Sequence, residues 1–191
     1  MTKDAKTTYD ILKVLKKRYS PRAFSTEAVN EEFLNKMLEA ARWAPSASNE
    51  QPWRFIVGIK QNTNSETYSK IFNSLVEFNQ IWCKRVPLLI VVCTFKFSKN
   101  GDENKYRFYD AGQAAAYLTF QAASDGLFVH QMAGFDKKKI SEYFHLPDEI
   151  EPFTTIAVGH LGNYLDLPER MQRTELAERE RKSFDDIIIT Y

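Results

Sequence analysis

Apolar positions along this chain switch between the helical and the strand period often enough to mark out most of its elements. Tyr9, Ile11, Leu12 and Leu15 have helical spacing with Lys13, Lys16 and Lys17 on the wet side, which predicts a first helix delivering Arg18 and Ser20 at its end. Asn30 followed by Glu31 and Glu32 is an N-cap with acids in the first turn. Phe33, Leu34, Met37, Leu38 and Ala41 then continue one apolar face until Pro45 stops the helix. A strand over 55–59 follows, then a helix over 65–84 whose aromatics Tyr68, Phe72, Phe78 and Trp82 suggest core or subunit contact. The apolar run 88–95 predicts a strand buried on both faces. Beyond a polar loop at 98–105, residues 109–124 form an Ala-rich helix, of the kind that packs closely at the centre of a dimer. Asp125-Gly126 ends it, and 127–130 reads as a short strand. A turn over 132–136 precedes a helix over 137–144 capped by Asp136, and a strand over 153–158 comes next. The chain is then charged from Glu169 to Lys182 and closes on Ile187-Ile188-Ile189. Such a triplet costs roughly 2 kcal/mol per side chain to leave wet, so a strand added to a sheet edge of this chain or a partner is expected.

These elements give an α+β arrangement without strict βαβ alternation, and no GxGxxG is present, so a separate nicotinamide dinucleotide domain is not expected. Composition narrows the picture further. A chain of 191 residues suits one domain with a modest core, and association would supply the surface needed around a large cofactor. A formal net charge of +1 gives no global field to recruit nucleic acid or an anionic membrane. Cys83 and Cys93 form no CxxC, as expected of a reduced, cytoplasmic protein. His130, His145 and His160 lack metal-ligand spacing, so no metal site is expected. The polar start and the shortness of the longest apolar run, 86–93, point away from a signal peptide and from a membrane span.

Two stretches carry candidate chemistry. Ala44-Pro45-Ser46-Ala47-Ser48-Asn49-Glu50-Gln51-Pro52-Trp53 is a proline-stiffened polar loop, whose small residues let a flat ligand approach the main chain while Ser46, Ser48, Asn49 and Gln51 offer donors and acceptors. Arg18-Tyr19-Ser20-Pro21-Arg22 places two guanidiniums around a hydroxyl, a set suited to a phosphate dianion. Alone, the first also serves as a helix-to-strand turn and the second as a solvated helix end. Asn79 is a polar residue among aromatics, with an amide able to pair with a pyrimidine-like edge or simply to face solvent.

Together the stretches are more specific. Arg-x-Ser-x-Arg-x-Phe followed at this distance by Ala-Pro-Ser-x-x-Asn-x-Gln-Pro-Trp resembles the N-terminal signature of the nitroreductase family of FMN-dependent oxidoreductases. The Val-Pro-Leu-Leu-Ile-Val-Val strand, the Ala-rich helix, Gly-Phe-Asp, a Gly-x-x-Gly and a late basic cluster fall where that family has counterparts. The resemblance implies a central, mainly antiparallel sheet flanked by helices, and a homodimer with exchanged C-terminal segments and two flavins at its interface. It implies that Arg18, Tyr19, Ser20 and Arg22 hold the phosphate and ribityl end of FMN, completed by Arg179 and Arg181. Pro45, Ser46, Ala47, Ser48 and Asn49 would reach the flavin from the partner subunit, Asn79 would meet the pyrimidine edge, and the Ala133 and Gly134 N–H groups would face N5 and O4. NADH or NADPH would reduce the flavin, and a nitroaromatic, quinone or similar acceptor would reoxidise it in a ping-pong cycle. A flavin-consuming or dehalogenating enzyme and a non-reducing flavin-binding module are the alternatives on the same scaffold. Two departures stand out. Ala133 replaces a glutamate found in many members, and Trp82 stands where some carry a lysine near flavin N1 and O2, with Lys84 a possible substitute. A lid deciding the acceptor is expected within 61–78 and 100–109.

Overall fold

The computed structural model describes residues 3–60 and 65–190. Helix α1 (Lys13–Lys17) is shorter than its apolar spacing suggests. Leu12 is extended and has no capping side-chain bond, and Tyr9, Ile11 and Leu12 stay exposed, with Tyr9 against the Phe184 ring at 5.7 Å and Leu15 half-buried. Helix α2 (Glu31–Arg42) starts as expected, with the Asn30 side chain accepting from Glu32 N at 2.8 Å. It buries Leu34, Met37 and Ala41 and is followed by the proline-rich loop.

Strand β1 (Trp53–Ile59) leads past residues 61–64, the part of the proposed lid outside the described residues, to α3 (Ser65–Ser74) and α4 (Glu77–Cys83). The single helix expected over 65–84 is therefore two. Val76 is extended at ψ 151°, and its N–H leaves the helical ladder to donate to the Gly134 carbonyl at 3.1 Å, while Leu75 bridges to Phe135. A tertiary backbone contact and a β-branched residue thus outweigh helical continuity. Strand β2 (Leu88–Phe95) has the predicted bounds. Helix α5 (Arg107–Ser124), strand β3 (Phe128–Met132), helix α6 (Lys137–Tyr143), strand β4 (Ile150–Gly159) and helix α7 (Glu169–Leu176) complete the order, each shifted by a few residues at most from its predicted range where one was set. Asp136 caps α6 by accepting from Lys139 N at 3.0 Å.

The four strands form one antiparallel sheet in the order β1-β2-β4-β3. Central β2 explains its unbroken apolar run, because both faces are covered. Leu88, Ile90 and Val92 point into a core with α2 and α5, and Leu89, Val91 and Cys93 into one with Tyr68, Trp82 and Ile140 from α3, α4 and α6. Pro152 sits in β4 where the register with β2 shifts, a place where its missing donor is tolerated. The terminal isoleucines add no strand to the sheet of this chain, and Ile188 is half-buried. They follow a turn in which Ile187 and Ile188 donate to the Phe184 carbonyl, and Ile187 and Ile189 remain exposed. Tyr106 before α5, and Tyr109 and Tyr117 on it, are exposed as well. Among the described residues no helix is long and apolar enough to cross a membrane.

Candidate functional site

The chain leaves α1 at Arg18 and passes through residues 18–25 pinned by its backbone to His130, Glu175, Gly162, His160 and, at the Phe24 carbonyl, Arg85 Nε at 3.3 Å. His130 on β3 donates from Nδ1 to the Pro21 carbonyl at 2.8 Å. The Glu175 carboxylate on α7 accepts from Arg22 N at 3.1 and 3.0 Å and from Ala23 N at 3.4 Å. Gly162 N donates to the Ala23 carbonyl at 2.8 Å, and Ser25 N to the His160 carbonyl at 2.9 Å. The Gly-x-x-Gly thereby gains a reason: a Cβ on Gly162 would lie 2.4 Å from the Phe24 carbonyl carbon and oxygen.

This frame sets out a cationic groove. Arg18, Arg179 and Arg181 line a hollow of about 630 Å³ together with Lys6, Lys182 and Phe120, and no carboxylate lines it. Burial, and then the nearby Arg179 and Arg181 charges, press the Arg18 guanidinium below its ordinary pKa. Ser20 joins through its hydroxyl, which accepts from Arg18 Nη1 at 3.3 Å. Arg179 also fastens the tail, donating to the carbonyls of Lys3 at 2.9 Å and Lys16 at 2.7 Å. Tyr19 lies edge-on to Phe128 at 5.3 Å, and burial, reinforced by Glu175, pushes its phenol up to about 12.

Arg22 departs from that cluster. Its guanidinium lies over the Phe78 ring at 5.6 Å, and its Nε is buried without a hydrogen-bond partner. Asn79, the next residue of α4, is buried and donates from Nδ2 to the Gly134 carbonyl at 3.0 Å. A Cβ on Gly134 would fall 2.7 Å from that nitrogen, so this close approach needs glycine. Asn79, Ala133 and Gly134 are thus brought together with Arg22 nearby. Trp82 is buried against Phe24 and His130, at ring distances of 6.0 and 4.7 Å, and faces the core. Lys84 is exposed.

The second stretch is built differently. Ala47 N donates to the buried Asp110 carboxylate of α5 at 3.3 and 3.2 Å, and Gln51 N to Ser46 Oγ at 3.0 Å. Ser48, Asn49 and Gln51 all have left-handed φ, at 50°, 52° and 49°. Pro45, Ser48 and Asn49 are exposed, and Ser46 and Ala47 half-buried. Among the described residues no hydrogen bond joins Pro45, Ser46, Ala47, Ser48 or Asn49 to the arginine groove or to Asn79.

Three residues of this architecture were not singled out by the sequence reading. Asp110 has a visible signal, an acid on the small-residue face of an otherwise buried helix. His130 sits on a short strand and Glu175 within a charged run, and neither stands out in its local pattern.

The model of the nitroreductase family matches residues 15–160. The chain belongs to the nitroreductase family. It is 34% identical over 144 residues to an "uncharacterized 15.4 kDa protein in ask 5'region" of Mycolicibacterium smegmatis, covering 72% of this chain and 95% of that one. A protein of Archaeoglobus fulgidus named "Putative NADH dehydrogenase/NAD(P)H nitroreductase" is 26% identical over 168 residues, covering 86% of this chain and 92% of that one. A solved structure described as an "oxidoreductase containing FMN" superposes with a TM-score of 0.91 at 30% identity, over 99% of this chain and 96% of that chain. The nitroreductase α+β fold expected from the two N-terminal motifs is therefore the fold observed, with its sheet wholly antiparallel.

The residues also fit FMN on their own terms. A groove with five cations and no carboxylate suits a phosphate dianion, and the orphaned Arg22 N–H offers a donor.

Proposed function

We propose that this protein, an FMN-dependent oxidoreductase of the nitroreductase family, takes electrons from NADH or NADPH and passes them to a nitroaromatic, quinone or related small acceptor. The carboxylate-free groove of Arg18, Arg179 and Arg181 carries this reading, since it supplies the charge that a flavin phosphate needs. Bound FMN supplies the hydride-accepting and hydride-donating centre. The chain's own residues hold and orient it: Arg18, Tyr19, Ser20, Arg179 and Arg181 at the phosphate, Arg22 and Asn79 at the pyrimidine side, and Ala133 and Gly134 through their backbone. In this assignment Arg22, lying over Phe78 on α4, takes the place of the lysine that Trp82 replaces. Lys84 is then not needed.

Dimerisation is part of the proposal. Pro45, Ser46, Ala47, Ser48 and Asn49 serve the flavin of the other subunit, which accords with their separation from the groove in hydrogen bonding within one chain. Exposed Leu12, Tyr109, Ile187 and Ile189 provide apolar surface for that association, with the isoleucine tail exchanged onto the partner. Two buried free cysteines accord with a cytoplasmic setting. With no dinucleotide fingerprint in the chain, donor and acceptor use one open face in turn, so double-reciprocal plots should be parallel.

The deciding experiment is a visible spectrum of the protein with added FMN, before and after anaerobic NADPH or NADH. Bound flavin that bleaches supports the reductase. Bound flavin that neither nucleotide bleaches makes the protein a flavin-binding module, and absence of binding removes the reading altogether. Arg22→Ala should weaken FMN binding by roughly 1.5–3 kcal/mol, the range for a hydrogen bond to a charged group, with little change in unfolding.

A further inference from the structure

A carboxylate beside a phosphate site is an oddity, because its charge opposes the ligand. Glu175 is such a group. It is 8% exposed, stands close enough to Tyr19 to raise the phenol's pKa, and belongs to α7, directly before the tail that carries Arg179 and Arg181. Among the described residues it makes no ion pair. Its side-chain oxygens instead accept from the main chain, both from Arg22 N and one from Ala23 N, across more than 150 residues of sequence. Its own carbonyl accepts from Lys3 Nζ, so the same residue ties down the N-terminal segment.

Consecutive N–H groups converging on one carboxylate fix the peptide planes at Arg22 and Ala23. Arg18 and Ser20 lie immediately upstream on the same loop, and His130 holds the intervening Pro21 carbonyl. Resting on the reading that the arginine groove takes the FMN phosphate, we infer that Glu175 is a positioning residue for that site, locking the 18–23 backbone to the C-terminal helix so that the groove's two sources of arginine keep one geometry. The charge it brings is unfavourable to phosphate and is retained because its hydrogen bonds set the loop.

This account has a readout that separates it from plain structural support. Riboflavin has the ring and ribityl chain of FMN without the phosphate, so a defect at the phosphate end must change the ratio of the two affinities. Flavin fluorescence quenching with FMN and with riboflavin, on the full chain, measures that ratio for wild type, Glu175→Gln and Glu175→Leu. Glu175→Gln removes a negative charge, which alone would tighten FMN. Positioning predicts the opposite, FMN weakened by about tenfold in Glu175→Gln and further in Glu175→Leu, with riboflavin, which shares only the Arg22 contact of that loop, weakened by a clearly smaller factor. If Glu175→Leu does not fold, the isosteric Gln variant decides. An unchanged ratio, tighter FMN binding, or equal losses for both flavins would overturn the inference while leaving the FMN site intact. Wild-type protein that binds neither flavin would overturn the FMN reading itself, and this inference with it.

Discussion

The two polar, proline-bearing loops at residues 18–25 and 44–53 are held in different ways. The first is tied by hydrogen bonds to His130, His160, Gly162 and Glu175, partners on or beyond β3, and its own backbone shows no left-handed residue. The second is held from within by Ser46 and from outside by Asp110 on α5, by Lys99 and by Phe95 N on the Pro52 carbonyl, and it carries three left-handed non-glycine residues within four positions. One loop is thus over-determined by its own chain. The other keeps backbone strain and an exposed face, as suits the segment proposed to serve the flavin of a second subunit.

The contrast can be broken most violently at Gly162. Alanine there would place Cβ 2.4 Å from backbone atoms of Phe24 and 2.8 Å from Ser25 N, none of which can rotate away. Overpacking against main chain should cost about 3 kcal/mol, and urea denaturation of Gly162→Ala should show it. Wild-type stability in that variant would mean that the 18–25 loop yields easily.

His130 offers a comparable effect through pH. Burial, aided by the Arg22 charge, holds its pKa down to about 4 against the bond to Pro21, so the ring is neutral at pH 7. Because the folded value lies below the unfolded 6.5, the unfolded chain binds the proton first as pH falls. The stability belonging to the neutral ring is therefore complete above about pH 6.5 and is lost between there and pH 4, by something on the order of 3 kcal/mol. His130→Gln has no such titration. Urea midpoints at pH 7.5 and 4.5 should fall further for wild type than for the variant, and parallel losses would refute the assignment.

These cases show where the sequence was readable. Asn30, Asp136 and β2 announce themselves, because caps and unbroken apolar runs are local signals that the fold has no reason to override. The break at Leu75–Val76 was invisible, since it depends on the Gly134 carbonyl, almost sixty residues later, accepting the Val76 N–H. The arginines and the Pro-Ser-Asn loop were legible as chemistry. Their supports were not, because a histidine on a short strand or a glutamate among charges differs from its neighbours only in what it meets after folding.

Asp110 tests the weaker loop with a smaller effect. Asp110→Ala leaves the Ala47 N–H without its acceptor and should cost about 1–2 kcal/mol. Asp110→Asn keeps an acceptor and removes a carboxylate whose pKa burial already raises, so it should stay near wild type. Thermal melts of the pair separate hydrogen bonding from charge. If Asn is as damaging as Ala, the charge is what matters.

The least effect, and the sharpest comparison, is expected at Ser48. A left-handed residue other than glycine costs roughly 1–2 kcal/mol, and glycine's extra freedom in the unfolded chain returns about 0.5–1 of that. Ser48→Gly should therefore stabilise the fold slightly, by about 0.5 kcal/mol, in a denaturant titration. If the strain exists to pre-set the loop for a flavin on the partner subunit, the same variant should bind FMN less tightly despite its greater stability. The corresponding strain relief has no counterpart in residues 18–25, where every described residue lies at ordinary φ. Stability and affinity moving in the same direction at Ser48 would mean that the strain is incidental, and the difference between the loops would then reduce to their number of anchors.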